Sequence, residues 1–398
     1  MRFPTMRMRR LFQLVGVISL VAVMVGAANQ PDGETLQQLQ ALGYLDSAPT
    51  SNPEDRGVTI HLPGAFEGLN LYSSRQQSSA QLIDMDGEVL HSWSDSGTKQ
   101  WMHVEMLPEG DLLAIAKDHY LVKLDWDSRV VWRHATRAHH DLALASDGRI
   151  LLLSRALQWK VVDGGRLPFL ADRIEVLSPE GEREQTMDLL DLLYPLVPRS
   201  RLQALQRGVS EGMKPEKLTS PENPGDLTHV NSIEILARPI DGVAPKGAIL
   251  LSVRELDRVV ILNPAMDKVL WHWGQGELQR QHHASLTDDG HILVFDNGVR
   301  RRKSRLVEID PLARGVVWSL SQPRFFTGSR GAAQRLPNGN HLVTESDKGH
   351  VFEVTADGKV VWEFFNPVVR DRKKPKRDAI YRLERIDRSY LKRAVPER

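Results

Sequence analysis

Histidine recurs at one place in a repeating pattern. His140 and His282 each stand eight residues before the glycine of an Asp-Gly turn (Gly148 and Gly290), and His103 stands seven before Gly110. In a fourth copy the turn is displaced by the insertion 237–245, and His229 opens the matching stretch Thr228-His229-Val230-Asn231-Ser232. A lone histidine at a strand start usually does no more than bond a backbone group. Equivalent positions in several copies of one unit argue instead for a shared site. Such imidazoles, with Arg254 and Asn231, make a donor-rich cup suited to sulfate, phosphate or carboxylate. A neutral imidazole in that cup also has a lone pair with which to attack. The competing chemistry is a Zn²⁺ or Cu²⁺ site, since three histidines bind either ion, but Arg254 beside them opposes a dication. His282, His229, Arg254 and His140 are the candidate residues for such chemistry, with no metal. Asn231, His139 and His103 are the candidate substrate contacts. The pairs His139-His140 and His282-His283 are separated by the turn alignment, which favours His140 and His282.

The elements that must position these residues are short strands. One recurring piece is a turn followed by a strand ending in tryptophan, at Trp93, Trp132, Trp271, Trp318 and Trp362. A second is a glycine turn followed by an Ile/Leu/Val-rich strand, as in Asp147-Gly148-Arg149-Ile150-Leu151 and Asp289-Gly290-His291-Ile292-Leu293. Together they give units of four strands in about 40–50 residues, the period of a propeller blade. Counting from Val58 there are six units, the third lacking its tryptophan. The fold expected is all-β, a six-bladed β-propeller over 58–367, in which repeat-equivalent histidines ring one mouth of the channel. The tryptophans are expected to pack between sheets. Residues 189–227, with helical apolar spacing and several prolines, form a partly helical insertion between the third and fourth units, placed to cover one mouth of the channel.

Composition narrows the classes further. Lys+Arg 52 against Asp+Glu 51 leaves no global basic field for nucleic acid. The absence of cysteine excludes disulfides, thiol nucleophiles and Cys-based zinc sites. No Walker A pattern and no nucleophile elbow is present. Arg2, Arg7, Arg9 and Arg10 precede the uncharged stretch from Leu11 to Ala28, so 1–28 reads as a signal peptide or membrane anchor. The folded part is then expected to be exported, periplasmic or held at the outer face of the inner membrane. Residues 29–57 read as a short helix (Glu34 to Leu45) and a linker, and 368–398 as a basic surface extension.

His139-His140-Asp141, Thr228 to Ile233, Ser252-Val253-Arg254, Gln281-His282 and Phe295-Asp296-Asn297-Gly298 resemble motifs of the bacterial arylsulfotransferases, exported six-bladed propellers that do not use the nucleotide sulfate donor. Gln334 to Asn340, Val361-Trp362-Glu363 and Asn366-Pro367 resemble their last blade. The resemblance implies transfer of a sulfuryl group from an aryl sulfate to a phenolic acceptor, without a cofactor, through a sulfohistidine on His282. It also implies that His140, His229, Asn231 and Arg254 hold the sulfuryl oxygens, with one histidine exchanging protons with the phenols. A non-catalytic propeller binding an anionic ligand or a protein partner, and a His-ligated metal-dependent hydrolase, are the alternatives.

Overall fold

The computed structural model describes residues 54–371, 373 and 375–395, with the backbone of a short strand at Ser47–Pro49. The expected export segment and the helix from Glu34 to Leu45 lie outside the described residues. Among those described, no helix is long and apolar enough to cross a membrane.

Strands of about five residues alternate with glycine-bearing turns and, away from the chain ends, pair with their sequence neighbours, so each group of four closes into one antiparallel sheet. Five of six successive sheets start from inner strands His103–Met106, Ala138–Leu144, Val230–Ile235, His282–Leu286 and Ala332–Arg335. These are blades 2 to 6 of a six-bladed propeller. The second strands of blades 2, 4, 5 and 6 are wholly buried, as in Leu112–Ala116 and Ile249–Val253. Outer strands such as Val130–Ala135 carry more exposed residues. The tryptophans do pack between sheets. The indoles of Trp132, Trp271 and Trp362 donate to backbone carbonyls of the following blade, at Pro179 (3.1 Å), Pro311 (3.0 Å) and Met85 (2.8 Å). Trp93 meets Trp126 edge-on, and Trp318 stacks on His341.

Ring closure departs from the sequence expectation at both ends. Val58 does not start the first blade: its strand, Gly57–His61, adds to the outer edge of blade 6 beside Val360–Phe365. The C-terminal stretch is not only a surface extension either. Ile380–Ile386 is the inner strand of blade 1, paired with Leu69–Ser74. Its apolar residues Ile380 and Leu383 are buried. Arg382 and Glu384, on either side of Leu383, face a polar channel, which hid the strand behind a surface-like composition.

The insertion is partly helical, as expected, with helices Leu189–Leu193, Arg199–Ser210 and Pro215–Leu218. It rests on an unforeseen extension of blade 3, whose middle strands run for 13 residues each, Ile150–Val162 and Gly165–Leu177. Phe169 and Ala171 of that extension pack with Leu190, Leu205 and Leu218. At about 25 cal/mol per Å² of apolar surface, this small core contributes several kcal/mol to holding the insertion over the channel.

Candidate active site

The inner strands of blades 3, 4 and 5 are irregular where the histidines stand. Their pairing slips between Ala138 and Leu142, between Val230 and Ser232, and between His282 and Ala284. His140 and His229 sit at φ of 56° and 50°, and His283 at 43°. Left-handed backbone at bulky residues costs energy and concentrates at functional sites. The bulges turn His140, His229 and His282 into one cavity of about 450 Å³. The rings of His140 and His229 stand 4.9 Å apart.

Each of these rings is anchored through Nδ1. His282 Nδ1 lies 2.7 Å from Asn297 Oδ1. The Asn297 amide nitrogen donates to the carbonyls of Thr327 (2.9 Å) and Arg330 (2.6 Å), which fixes its oxygen toward the imidazole. Nδ1 of His282 therefore carries the hydrogen and Nε2 the lone pair, which accepts a hydrogen bond from the Arg330 backbone N–H at 3.1 Å. Gly331, at φ 108°, keeps that segment close: a Cβ there would lie 2.4 Å from Phe295. His229 Nδ1 is 2.5 Å from the buried Asp226 carboxylate. His140 Nδ1 is 2.7 Å from His139 Nδ1, and Nε2 of His139 faces Asp172 at 3.4 Å. With a hydrogen on His139 Nε2, His140 donates from Nδ1 and keeps a bare Nε2.

Electrostatics fix the charge states. Burial, reinforced by neighbouring cations and histidines, holds all three imidazoles well below 6.5, so they are neutral at pH 7. The cavity wall adds Arg75, Lys117, Arg254, Arg280 and Arg330 against one carboxylate, Glu222. Burial beside Arg155 and Arg75 lowers the Lys117 ammonium to about 8. Arg254, almost fully buried, donates to Glu255 and, at 3.1 Å, to Glu222. The insertion completes the wall with Ser220 to Asn223. Its helix is tied down by Arg201, which donates to Glu255 and to the Asp226 carbonyl. The covered mouth expected from the sequence is this wall.

Two partly overlapping matches decide the lineage. One arylsulfotransferase (ASST) family model matches residues 64–280, more than half of the chain, and a second with the same description matches 200–367. The chain belongs to the arylsulfotransferase family. It is a sulfuryl-transferring enzyme acting on aryl substrates. A search of curated protein sequences finds no match. Among solved structures, a Bacteroides caccae protein of unknown function is 13% identical with a TM-score of 0.51, covering 80% of this chain and 98% of its own. That likeness shows the propeller fold. A streptogramin B lyase (11% identity, TM-score 0.46, 86% of this chain and 97% of its own) is also similar. So is a Staphylococcus aureus virginiamycin B lyase (10%, 0.45, 80% and 87%).

Within this arylsulfotransferase fold the four expected catalytic residues line one cavity, whereas the three expected substrate contacts do not. His139 stands behind His140. Asn231 donates to the Gln281 carbonyl at 2.9 Å and so braces the residue before His282. His103 lies in a regular strand, and its seven-residue spacing places it with Asp141 and His283 in the next layer of the channel. A one-residue change of position redirects a strand side chain. Tyr381 separates the layers, with ring centroids 6.2 Å from His140 and 6.1 Å from His103.

Sequence reasoning missed Asp226, Lys117 and the second part Asn297 plays. A signal for the last two existed. Seven residues after the turn glycines stand Lys117, Arg155, Arg254, Asn297 and Ser346, following Gly110, Gly148, Gly247, Gly290 and Gly339. In an antiparallel hairpin, eight before and seven after the turn lie at the same end.

Proposed function

We propose that the enzyme moves a sulfuryl group from an aryl sulfate to a phenol through a covalent intermediate on His282 Nε2. The observation that carries this reading is the fixed tautomer of His282, a neutral ring with its lone pair on Nε2 in a cationic cavity. The bound donor displaces the Arg330 N–H from Nε2, the freed lone pair attacks sulfur, the aryl O–S bond breaks, and the phenolate leaves with the bonding electrons. Arg254 and the other cations stabilise charge on the sulfuryl oxygens as it is transferred. The second half reverses the first: the acceptor oxygen attacks sulfur and the S–N bond breaks.

His229 with Asp226 is the proton carrier. In the second half, His229 Nε2 takes the phenol proton while Asp226, 2.5 Å from Nδ1, balances the resulting imidazolium. His229 Nε2 takes up a proton as the anionic donor binds and gives it to the departing phenolate in the first half. The proton taken from the acceptor restores that state, so one turnover returns the site to its starting state. The negative charge of the bound sulfate ester helps the otherwise depressed imidazole hold that proton. Five cationic side chains around the histidines oppose a bound dication, which leaves the metal-hydrolase reading unsupported at this cavity.

Export through the N-terminal 28 residues is part of this proposal, supported by their basic-then-apolar order. The test is incubation with a chromogenic aryl sulfate and a phenol. Continued phenolate release beyond one equivalent that needs the acceptor and disappears in His282→Asn supports the reading; release that survives in that variant contradicts it.

A further inference from the structure

Below Tyr381 the channel holds a second cluster that sulfuryl transfer does not use. Two residues along from His103, the same strand face carries Glu105, and the closing strand of blade 1 brings Arg382 and Glu384 beside it. One nitrogen of His103 and one carboxylate oxygen each from Glu105 and Glu384 all lie within 4.8 Å of one another. The His103 side chain is only 2% exposed, yet its Nε2 makes no hydrogen bond. The Asp141 and Glu105 oxygens that flank it stand 3.5 and 3.7 Å away.

The charge here is unbalanced. Asp141, Glu105 and Glu384 bring three carboxyls against one guanidinium. Arg382 spends one arm on Asp141, at 2.9 Å, and the other on Glu384 Oε1, at 3.2 Å.

We propose that His103, Glu105 and Glu384 bind one divalent cation of the Zn²⁺ or Mn²⁺ class. One imidazole nitrogen with two carboxylate oxygens suits these ions better than Ca²⁺, which prefers an all-oxygen shell. The 3.7 Å separation of His103 Nε2 from Glu105 Oε2 is close to the ~3.5 Å edge of a tetrahedral shell with bonds of about 2.1 Å. His103 and Glu105 belong to blade 2 and Glu384 to the strand that closes the ring on blade 1. The ion therefore ties the two blades together where the ring closes.

The experiment uses untagged, chelator-treated protein titrated with Zn²⁺ and, separately, Mn²⁺. Bound metal is measured by elemental analysis after desalting, and thermal unfolding is followed in parallel. One ion per chain and a raised Tm are expected for at least one of the two metals. Glu105→Gln and Glu384→Gln, which keep shape and volume, should weaken binding at least about tenfold, and His282→Asn should bind as the parent does. No stoichiometric uptake of either metal, uptake unchanged in both glutamine variants, or uptake lost in His282→Asn would each overturn the proposal.

Discussion

A nucleophilic histidine needs its lone pair on the atom that faces substrate, and Asn297 provides this through an oxygen it cannot turn away. Asn297→Asp keeps the acceptor but puts a carboxylate where the Thr327 and Arg330 carbonyls need a donor. Asn297→Ala frees the ring. Both should lower kcat by about 10²-fold or more with a smaller change in KM, which steady-state kinetics would show. Lys117 gives a pH signature. Because its ammonium sits at about 8, binding of an anionic donor should weaken as pH rises from 7 to 9, and Lys117→Met should remove that limb from a kcat/KM profile. The three histidines act on stability with a definite sign. Their folded pKa values lie well below the unfolded 6.5, so below pH 6.5 the unfolded chain takes up protons that the folded chain refuses. Stability is greatest above 6.5 and falls as pH drops through it, by up to about 1.4 kcal/mol per pH unit for each histidine. His229→Asn should flatten the acid limb of a plot of Tm against pH.

At the scale of elements, the insertion and the closing strand decide whether the cavity exists. Arg201 joins the helix Arg199–Ser210 to the fully buried Glu255 beside Arg254. Removing one partner of such a buried pair costs about 3–5 kcal/mol, an upper range here because Arg201 is a quarter exposed. Arg201→Ala should lower Tm and cut transfer while far-UV circular dichroism stays β-rich. A chain ending at Ala379 should lose cooperative unfolding altogether, since blade 1 would lack its inner strand. The blades were legible in the sequence because turn glycines and tryptophans recur with the repeat. The closing strand was not, because alternation of Ile380 and Leu383 with Arg382 and Glu384 also describes a surface. The histidines of blades 3 and 5 were legible through the turn register, and His229 of blade 4 through its place at the start of the matching stretch. The same register held the distinction between eight and seven residues that places His103 elsewhere. Asp226 was illegible because it reaches His229 only where the insertion folds back onto the strand.

For the whole molecule, near-zero net charge conceals a strong local separation. Cations gather around the upper cavity, and Glu105, Glu234 and Glu384 gather in the channel beneath it, each raised to about 7 by burial. The positive end should take up inorganic sulfate. Thermal melts should rise with added sulfate more than with chloride at equal ionic strength, and the difference should shrink in Arg254→Met.

In the proposed transfer one nitrogen holds the sulfuryl group between donor and acceptor, and intact-mass analysis after mixing with an aryl sulfate alone tests for it. A gain of roughly 80 Da, mapped to His282, absent in His282→Asn and discharged by a phenol, is the predicted result. Phenolate released at full rate with no adduct on His282 at any time would contradict it.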